Sequence, residues 1–123
     1  SSAASDVYKR QDYKATSTVK EIDLNDHWKK WYKIQAEFYQ WLLRVRNFTV
    51  SDTAYFVFAN AGKDREAFDG KLEFQVTIVP YEGNDAWVEE TLAKMKECLD
   101  ADNPPAPTPD CEHCQYIEKA KAI

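Results

Sequence analysis

The feature that most limits the fold is a run of large apolar residues spaced three and four apart in the first half of the chain. Its apolar members are Trp28, Trp31, Tyr32, Phe38, Tyr39, Leu42 and Leu43, and the polar Gln35 lies in the same stripe. This spacing predicts an amphipathic helix from about residue 26 to residue 45, with Asn25 or Asp26 placed to cap it. Trp28, Trp31 and Trp41 point in more than one direction, so we expect the helix to be covered on more than one face.

Short segments on both sides of this helix have the patterns of strands. Residues 12–15 could end a buried strand, and residues 53–59 are β-branched and aromatic. In residues 72–78, apolar and polar side chains alternate, which predicts a strand with one wet face. The apolar members are Leu72, Phe74, Val76 and Ile78, and the polar ones are Glu73, Gln75 and Thr77.

The C-terminal third combines a second helix with a proline-rich arm. The helix is predicted over residues 85–99. Its inward-facing residues are predicted to be Trp87, Val88, Leu92, Met95 and Leu99. Residues 103–109 contain too much proline for a helix or a central strand and predict an extended arm. The order β-α-β-β-α-arm indicates an α/β fold.

Composition narrows the class of protein. The 123 residues are enough for one domain with its own core, and 44% of them are hydrophobic. The formal net charge of -5 is the wrong sign for a protein held on DNA mainly by its overall field, although a local basic groove or a bound metal ion can reverse that field. No run approaches the ~18–20 apolar residues that span a bilayer, and three cysteines, two of them in a CxxC, suit a reducing compartment. We therefore expect an intracellular protein.

Asp12 and Lys14 form the first candidate site. Two residues apart on a strand, their side chains lie on the same face. A carboxylate can hold a divalent cation, and an ammonium group can orient water and offset charge on a phosphate in phosphodiester hydrolysis. Taken alone, the triplet fits a surface ion pair at a strand end better.

Gln35 and Tyr39 form the second candidate site. They are four residues apart and stack on one helical face, within the apolar stripe. A buried amide without partners costs roughly 1–3 kcal/mol, so another group should satisfy Gln35. The alternative is a glutamine at the edge of the stripe beside a core tyrosine.

Together, Asp12-Tyr-Lys14, a linker and Gln35-Ala-Glu-Phe-Tyr39 resemble motif III and the QxxxY motif of RecB-type nucleases of the PD-(D/E)XK superfamily. The residues around the QxxxY motif and Cys111-Glu-His-Cys114-Gln-Tyr116 add to the resemblance, which extends over nearly all of the chain from Asp12 onward. It implies part of a restriction-endonuclease-like core, a mixed sheet flanked by helices, with an extended CxxC arm.

The resemblance also implies an activity and a site. The activity is Mg²⁺- or Mn²⁺-dependent cleavage of DNA in phage or bacterial recombination, repair or DNA processing, alongside helicase or recombination proteins. The resemblance places the protein in the cytoplasm of a bacterium or a phage-infected cell. Asp12 and the backbone carbonyl of Tyr13 would bind the metal, and Lys14 would be the catalytic lysine. Gln35 and Tyr39 would brace the site and contact the nucleic acid. Lys33 and Arg44 could contact phosphates, although surface solvation explains them equally well.

The chain departs from the pattern of this family upstream of Asp12. The family places a histidine and a second metal-binding aspartate there, and Asp6 is too close to Asp12 to serve. Residues 6–11 resemble a translated read-end sequence, so residues 1–11 are predicted to be a non-native or disordered leader. Residues 12–102 would then be the C-terminal part of a nuclease core whose N-terminal part is missing, and residues 103–123 the arm. With one carboxylate, the chain by itself should hold magnesium poorly and be inactive or nearly so.

Cys111 and Cys114 have the spacing of a metal-binding thiolate pair. Some relatives bind an iron–sulfur cluster with one upstream and three C-terminal cysteines, whereas here Cys98 is the one further cysteine and His113 a potential zinc ligand. The pair is therefore either part of a metal site completed elsewhere or two reduced thiols. His27 is expected to be a capping or surface residue.

A different class of function stays open. The chain could be a non-catalytic module whose aromatic helix and CxxC tail contact proteins. A nuclease requires Gln35, Tyr39, Asp12 and Lys14 to converge on one site, whereas a binding module does not. The two hypotheses also differ in what covers the helix, which is a partner protein in the module and the missing N-terminal part in the nuclease.

Overall fold

The computed structural model describes residues 7–8, 11–64, 66–67 and 69–122, and the side chains of residues 7, 8 and 28 lie outside this description. Its strands are β1 (Val7–Tyr8), β2 (Gln11–Thr16), β3 (Thr49–Val50), β4 (Thr53–Ala61) and β5 (Phe74–Glu82). Its helices are a 3-10 turn (His27–Lys29), α1 (Lys30–Val45), α2 (Val88–Asp100) and α3 (Glu112–Lys121). The α/β class predicted from the sequence is confirmed. Most of the predicted leader lies outside the described residues, Asp6 included, and that prediction stays untested.

The main sheet has three strands in the order β2-β4-β5, with β2 parallel and β5 antiparallel to β4. Helix α1 connects the parallel pair, as such a crossover requires, while a simple reversal is enough for the antiparallel pair. Strands β1 and β3 form a separate two-stranded parallel sheet. The mixed sheet that the family resemblance implies is therefore present.

One face of the main sheet packs against α1 and forms the core. Ala54, Phe56 and Phe58 alternate along β4 and are almost fully buried, and Ala36 of α1 lies in the same cluster. The aromatic ring of Tyr32 lies 6.3 Å, between centroids, from those of both Phe56 and Phe58. We call this side of the sheet the packed face.

The opposite side, which we call the open face, carries exposed apolar residues. Tyr13 is 73% exposed, and Val76 and Ile78 are each 62% exposed. The expectation that the polar side of β5 would be the wet one is thus wrong. The register pairs Val79 with Phe56 and Tyr81 with Ala54, which places the other parity of β5 on the packed face.

The buried amide of Gln40 ties α1 to the segment that leads into β4. Its Nε2 donates to the carbonyl oxygens of Ser51 and Asp52, at 3.0 and 2.9 Å. Gly83 lies against this amide, and a Cβ at that position would overlap it. The helix ends through Asn47, whose φ of 64° is a conformation that asparagine tolerates.

The start of α1 is held by Lys29 instead of the predicted asparagine or aspartate cap. Neither Asp26 before the 3-10 turn nor Lys29 before α1 makes a side-chain cap. Lys29 is 4% exposed, and its Nζ donates to the Asp23 carbonyl and the Asp26 carboxylate, each at 2.8 Å. His27 is exposed in the 3-10 turn, as expected of a surface residue.

The chain divides into two compact units, residues 1–88 and 89–123. In α2, Val88 is buried, but Leu92, Met95 and Leu99 are exposed, so the inward stripe predicted for this helix is wrong beyond its first turn. The CxxC segment, predicted as part of an extended arm, is helical in α3, so the extended conformation is wrong over Glu112–Lys121. In the described part, no helix is long and apolar enough to cross a membrane.

Candidate active site

Strand β2 places Asp12 and Lys14 on the packed face of the sheet. Its parallel register sets Asp12 beside Phe56 and Lys14 beside Phe58, the two most buried aromatic residues of β4. Asp12 and Lys14 retain only 15% and 18% of their side-chain exposure, and Lys14 Nζ lies 3.1 Å from Asp12 Oδ2. This is a half-buried ion pair against the core, which differs from the exposed pair that the triplet alone suggests.

Helix α1 brings Gln35 onto the same lysine. Lys14 Nζ donates a 3.0 Å hydrogen bond to Gln35 Oε1, joining residues far apart in the sequence. The amide that interrupts the apolar stripe therefore has a partner. Because the donor is charged, this hydrogen bond is stronger than one between neutral groups.

Tyr32 is a member of the site that the sequence analysis did not single out. Lys14 Nζ lies 4.3 Å from the centroid of the Tyr32 ring, within the range of a cation–π contact. Tyr32 precedes Gln35 by one helical turn, so the two side chains approach the lysine from the same side of α1. The three-residue spacing of Tyr32 and Gln35 could have indicated that Tyr32 lies beside the site, but the apolar stripe predicted only a core position for its ring.

The remaining candidate residues make other contacts. Tyr39 follows Gln35 by one turn, half-buried, with its ring 6.4 Å from that of Phe38. The Tyr13 side chain points to the open face, which leaves its backbone carbonyl as the group that could serve the site. Arg44 is held by the carboxylates of Asp52 and Asp85, at 2.6 and 2.7 Å.

Lys33, the other basic candidate, donates to Asn25 Oδ1 at 2.9 Å. Its Nζ also lies 5.6 Å from the centroid of the Tyr81 ring. The structure thus brings Asp12, Lys14 and Gln35 together around one ammonium group and adds Tyr32. It gives Lys33 and Arg44 other partners.

Comparison with known proteins identifies a family for the chain as a whole. The family model described as the PD-(D/E)XK nuclease superfamily matches residues 6–118, nearly the whole chain. The chain belongs to the PD-(D/E)XK nuclease superfamily. No significant match was found among curated proteins or among solved structures.

Membership of the PD-(D/E)XK superfamily accounts for the architecture. The mixed sheet with its flanking helix α1 is consistent with a restriction-endonuclease-like core. Members of the superfamily are generally metal-dependent nucleases, so the family assignment implies nuclease-type chemistry with DNA as the substrate.

The described residues fit a catalytic metal ion only in part. Asp12 Oδ2 is buried and accepts no directed hydrogen bond from the described residues, but it is the oxygen that lies 3.1 Å from Lys14 Nζ, so a metal ion would share this carboxylate with the ammonium group. However, the described part contains no group of three or more histidine, cysteine, aspartate or glutamate residues that could hold a metal. Mg²⁺ usually binds through one or two carboxylates together with substrate phosphates and water, so Asp12 alone is at most the minimum set of protein ligands for this ion.

The CxxC pair lies at the start of α3. Cys111 is the N-cap of that helix, and its Sγ accepts a 3.2 Å hydrogen bond from the backbone N–H of Cys114. A thiol hydrogen bond from Cys114, followed by the backbone N–H groups, lowers the pKa of Cys111 below that of an ordinary cysteine. The same thiol hydrogen bond raises the pKa of Cys114. Cys98 is exposed on α2, and all three cysteines are free thiols.

Proposed function

We propose that this chain carries the part of a RecB-type DNA nuclease active site that contains the catalytic lysine, Lys14. The observation that supports this most directly is the convergence of Asp12, Lys14 and Gln35. A strand and the helix that follows it bring a carboxylate oxygen and an amide oxygen within 3.1 Å of the ammonium nitrogen of Lys14. Packing alone does not explain a charged group at this half-buried position. Burial of a charge is costly and has to be offset by paired, hydrogen-bonded groups.

The proposed roles follow from the position of each group. Asp12 is the metal ligand contributed by this chain, and the Tyr13 backbone carbonyl is a second donor. Lys14 offsets negative charge at the scissile phosphate and orients the attacking water. Gln35 fixes the direction of the Lys14 ammonium group, and Tyr39 contacts the nucleic-acid strand one turn further along α1. The metal is Mg²⁺ or Mn²⁺.

The proposed substrate is DNA in phage or bacterial recombination, repair or processing. Because the site has one carboxylate, we propose that the chain by itself is inactive or nearly so. In that proposal, a segment upstream of residue 12 completes the metal site with further ligands, and residues 12–102 are the C-terminal part of the core. The CxxC pair, whose partners would also come from elsewhere, remains a proposed zinc or iron–sulfur site.

The second candidate function is a non-catalytic module that binds proteins. The observation that favours it is the exposed aromatic surface on the outer side of α1, where Trp31 is 61% exposed. In this case the CxxC tail would serve protein contacts or bind a metal for structural reasons.

The deciding experiment measures Mg²⁺- or Mn²⁺-dependent cleavage of labelled DNA. An extended form, with the upstream gene segment restored, is compared with its Lys14→Ala variant, its Lys33→Ala variant and the present chain. We expect the extended form and Lys33→Ala to cleave, while Lys14→Ala and the present chain do not. Lys33 is the matched control because its Nζ bonds Asn25 and not Gln35.

Two outcomes would count against the nuclease. A folded extended protein that binds metal but cleaves no DNA would favour the binding module. Cleavage that survives Lys14→Ala would remove the lysine from the site even if the family assignment stands.

A further inference from the structure

Helix α1 is apolar on two opposite sides. The inner side packs on the sheet through Tyr32, Ala36 and Gln40. The outer side carries a second set of apolar residues, spaced alternately three and four apart and continuing past the end of the helix. This outer seam consists of Trp31, Ile34, Phe38, Trp41, Val45 and Phe48.

The outer seam is accessible for much of its length. Trp31, Ile34, Val45 and Phe48 are all exposed. Phe38 and Trp41 are half-buried, and their rings stack with centroids 5.6 Å apart. A helix that is apolar all round is normally buried on both sides, and contiguous exposed apolar surface marks an interaction site.

The spacing of the outer seam selects a helical partner. Apolar residues at alternating intervals of three and four repeat on average every 3.5 residues, which is the pattern that packs against another helix in a coiled coil. Helix α1 has 16 residues and is therefore about 24 Å long at ~1.5 Å per residue. That length accommodates a facing helix of about four turns.

The charges beside the outer seam select the chemistry of that helix. Lys30 and Arg46 are exposed at its two ends, and neither forms an ion pair with any residue that the structure describes. Lys30 Nζ lies 5.0 Å from the centroid of the Trp31 ring. Glu37, the one acidic residue of α1, is used internally, where it accepts hydrogen bonds from Tyr81 and Trp87.

We propose that the outer seam of α1 binds an amphipathic α-helix with acidic flanks, supplied by another protein. Docking of a second copy through the same seam is disfavoured. Lys30 and Arg46 of one copy would lie opposite Lys30 or Arg46 of the other, and these like charges repel. An anionic membrane is disfavoured because two basic residues are fewer than the ~4–8 that anionic lipids usually require, and the chain carries a net charge of -5. The proposal rests on the second candidate function and does not require nuclease activity, because in the nuclease hypothesis the upstream part of the same protein covers this side of α1.

The test uses two synthetic helices with leucine at the a and d heptad positions. One carries glutamate and the other lysine at the e and g positions. Binding to the present chain is followed by calorimetry and by tryptophan fluorescence. We expect the acidic helix to bind at least tenfold more tightly than the basic one, and Trp31→Gln to weaken binding about tenfold. Leu99→Gln, which removes an exposed leucine from α2, is the control and should have no effect.

Charge reversal keeps the proposal falsifiable if Trp31→Gln perturbs folding. Lys30→Glu combined with Arg46→Glu should reverse the preference in favour of the basic helix while leaving the circular dichroism spectrum unchanged. Equal binding of both helices, or a doubled mass of the free chain in sedimentation, would overturn the proposal. So would binding to phosphatidylserine vesicles in place of the peptide, or loss of peptide binding when the upstream gene segment is restored, since the cover would then be intramolecular.

Discussion

At the scale of single residues, the site is organised around one nitrogen atom. The ammonium group of Lys14 has three N–H donors and no acceptor, and the structure surrounds it with a carboxylate, an amide oxygen and an aromatic face. Each partner comes from a position that backbone geometry fixes, since Asp12 is two residues away on the same strand and Tyr32 and Gln35 are one turn apart on α1. The direction of the lysine is therefore set before any ligand arrives, which is what a charge-stabilising group requires.

This arrangement predicts a positioning role for Tyr32. In the extended, active form, Tyr32→Leu should lower kcat about tenfold with little change in KM, because a cation–π contact contributes ~0.5–2 kcal/mol. Tyr32→Phe, which keeps the ring over Lys14, should retain most of the activity. Steady-state kinetics on labelled DNA measures both variants. If Leu and Phe behave alike, the ring serves only to pack against Phe56 and Phe58.

At the scale of elements, the sequence predicted what depends on local periodicity and missed what depends on register. Helix α1 and strands β2, β4 and β5 appear close to where the patterns placed them. The packed side of β5 was missed because both of its sides carry apolar residues, and pairing with β4 decides between them. The contact between Lys14 and Gln35 could be anticipated from the sequence, because an amide within the apolar stripe needs a hydrogen-bond partner. The helix after Cys111 had no strong apolar stripe to reveal it.

The hydrogen bond from Tyr81 of β5 to Glu37 of α1 predicts how the stability of the fold changes at alkaline pH. Burial first, and then the hydrogen bond to the Glu37 carboxylate, raise the pKa of Tyr81 above the ordinary tyrosine value. The protonated phenol therefore stabilises the fold fully below the unfolded pKa of about 10. As the pH rises from there towards the higher folded pKa, this contribution is lost. Thermal melting across that range should show a smaller drop for Tyr81→Phe than for the wild type.

Tyr116→Phe is the matched control for this response. Tyr116 is exposed on α3, so its removal should leave the alkaline drop in melting temperature unchanged. A wild-type-like drop in Tyr81→Phe would mean that other groups, and not the bond to Glu37, produce the alkaline loss of stability.

At the scale of the whole molecule, exposed apolar side chains cluster on two surfaces among the described residues of the first compact unit. One is the outer seam of α1, and the other is the open face of the main sheet, around Tyr13, Val76 and Ile78. The open face lines a cavity of about 430 Å³ with Tyr13, Tyr55, Val57 and Ile78 among its residues. Exposed apolar surface on a sheet is a liability for solubility, so its removal should be measurable without loss of the fold.

The open face therefore predicts how two threonine substitutions act. Val76→Thr with Ile78→Thr should lower the fluorescence of a bound hydrophobic dye and reduce aggregation on concentration. The unfolding free energy should change by no more than about 0.5 kcal/mol, since threonine keeps the strand preference and the side chains are exposed. Val19→Thr, at an exposed valine outside the sheet, is the control and should leave dye binding unchanged. A large loss of stability in the double variant would show that the open face is packed in solution, and that another part of the protein covers it.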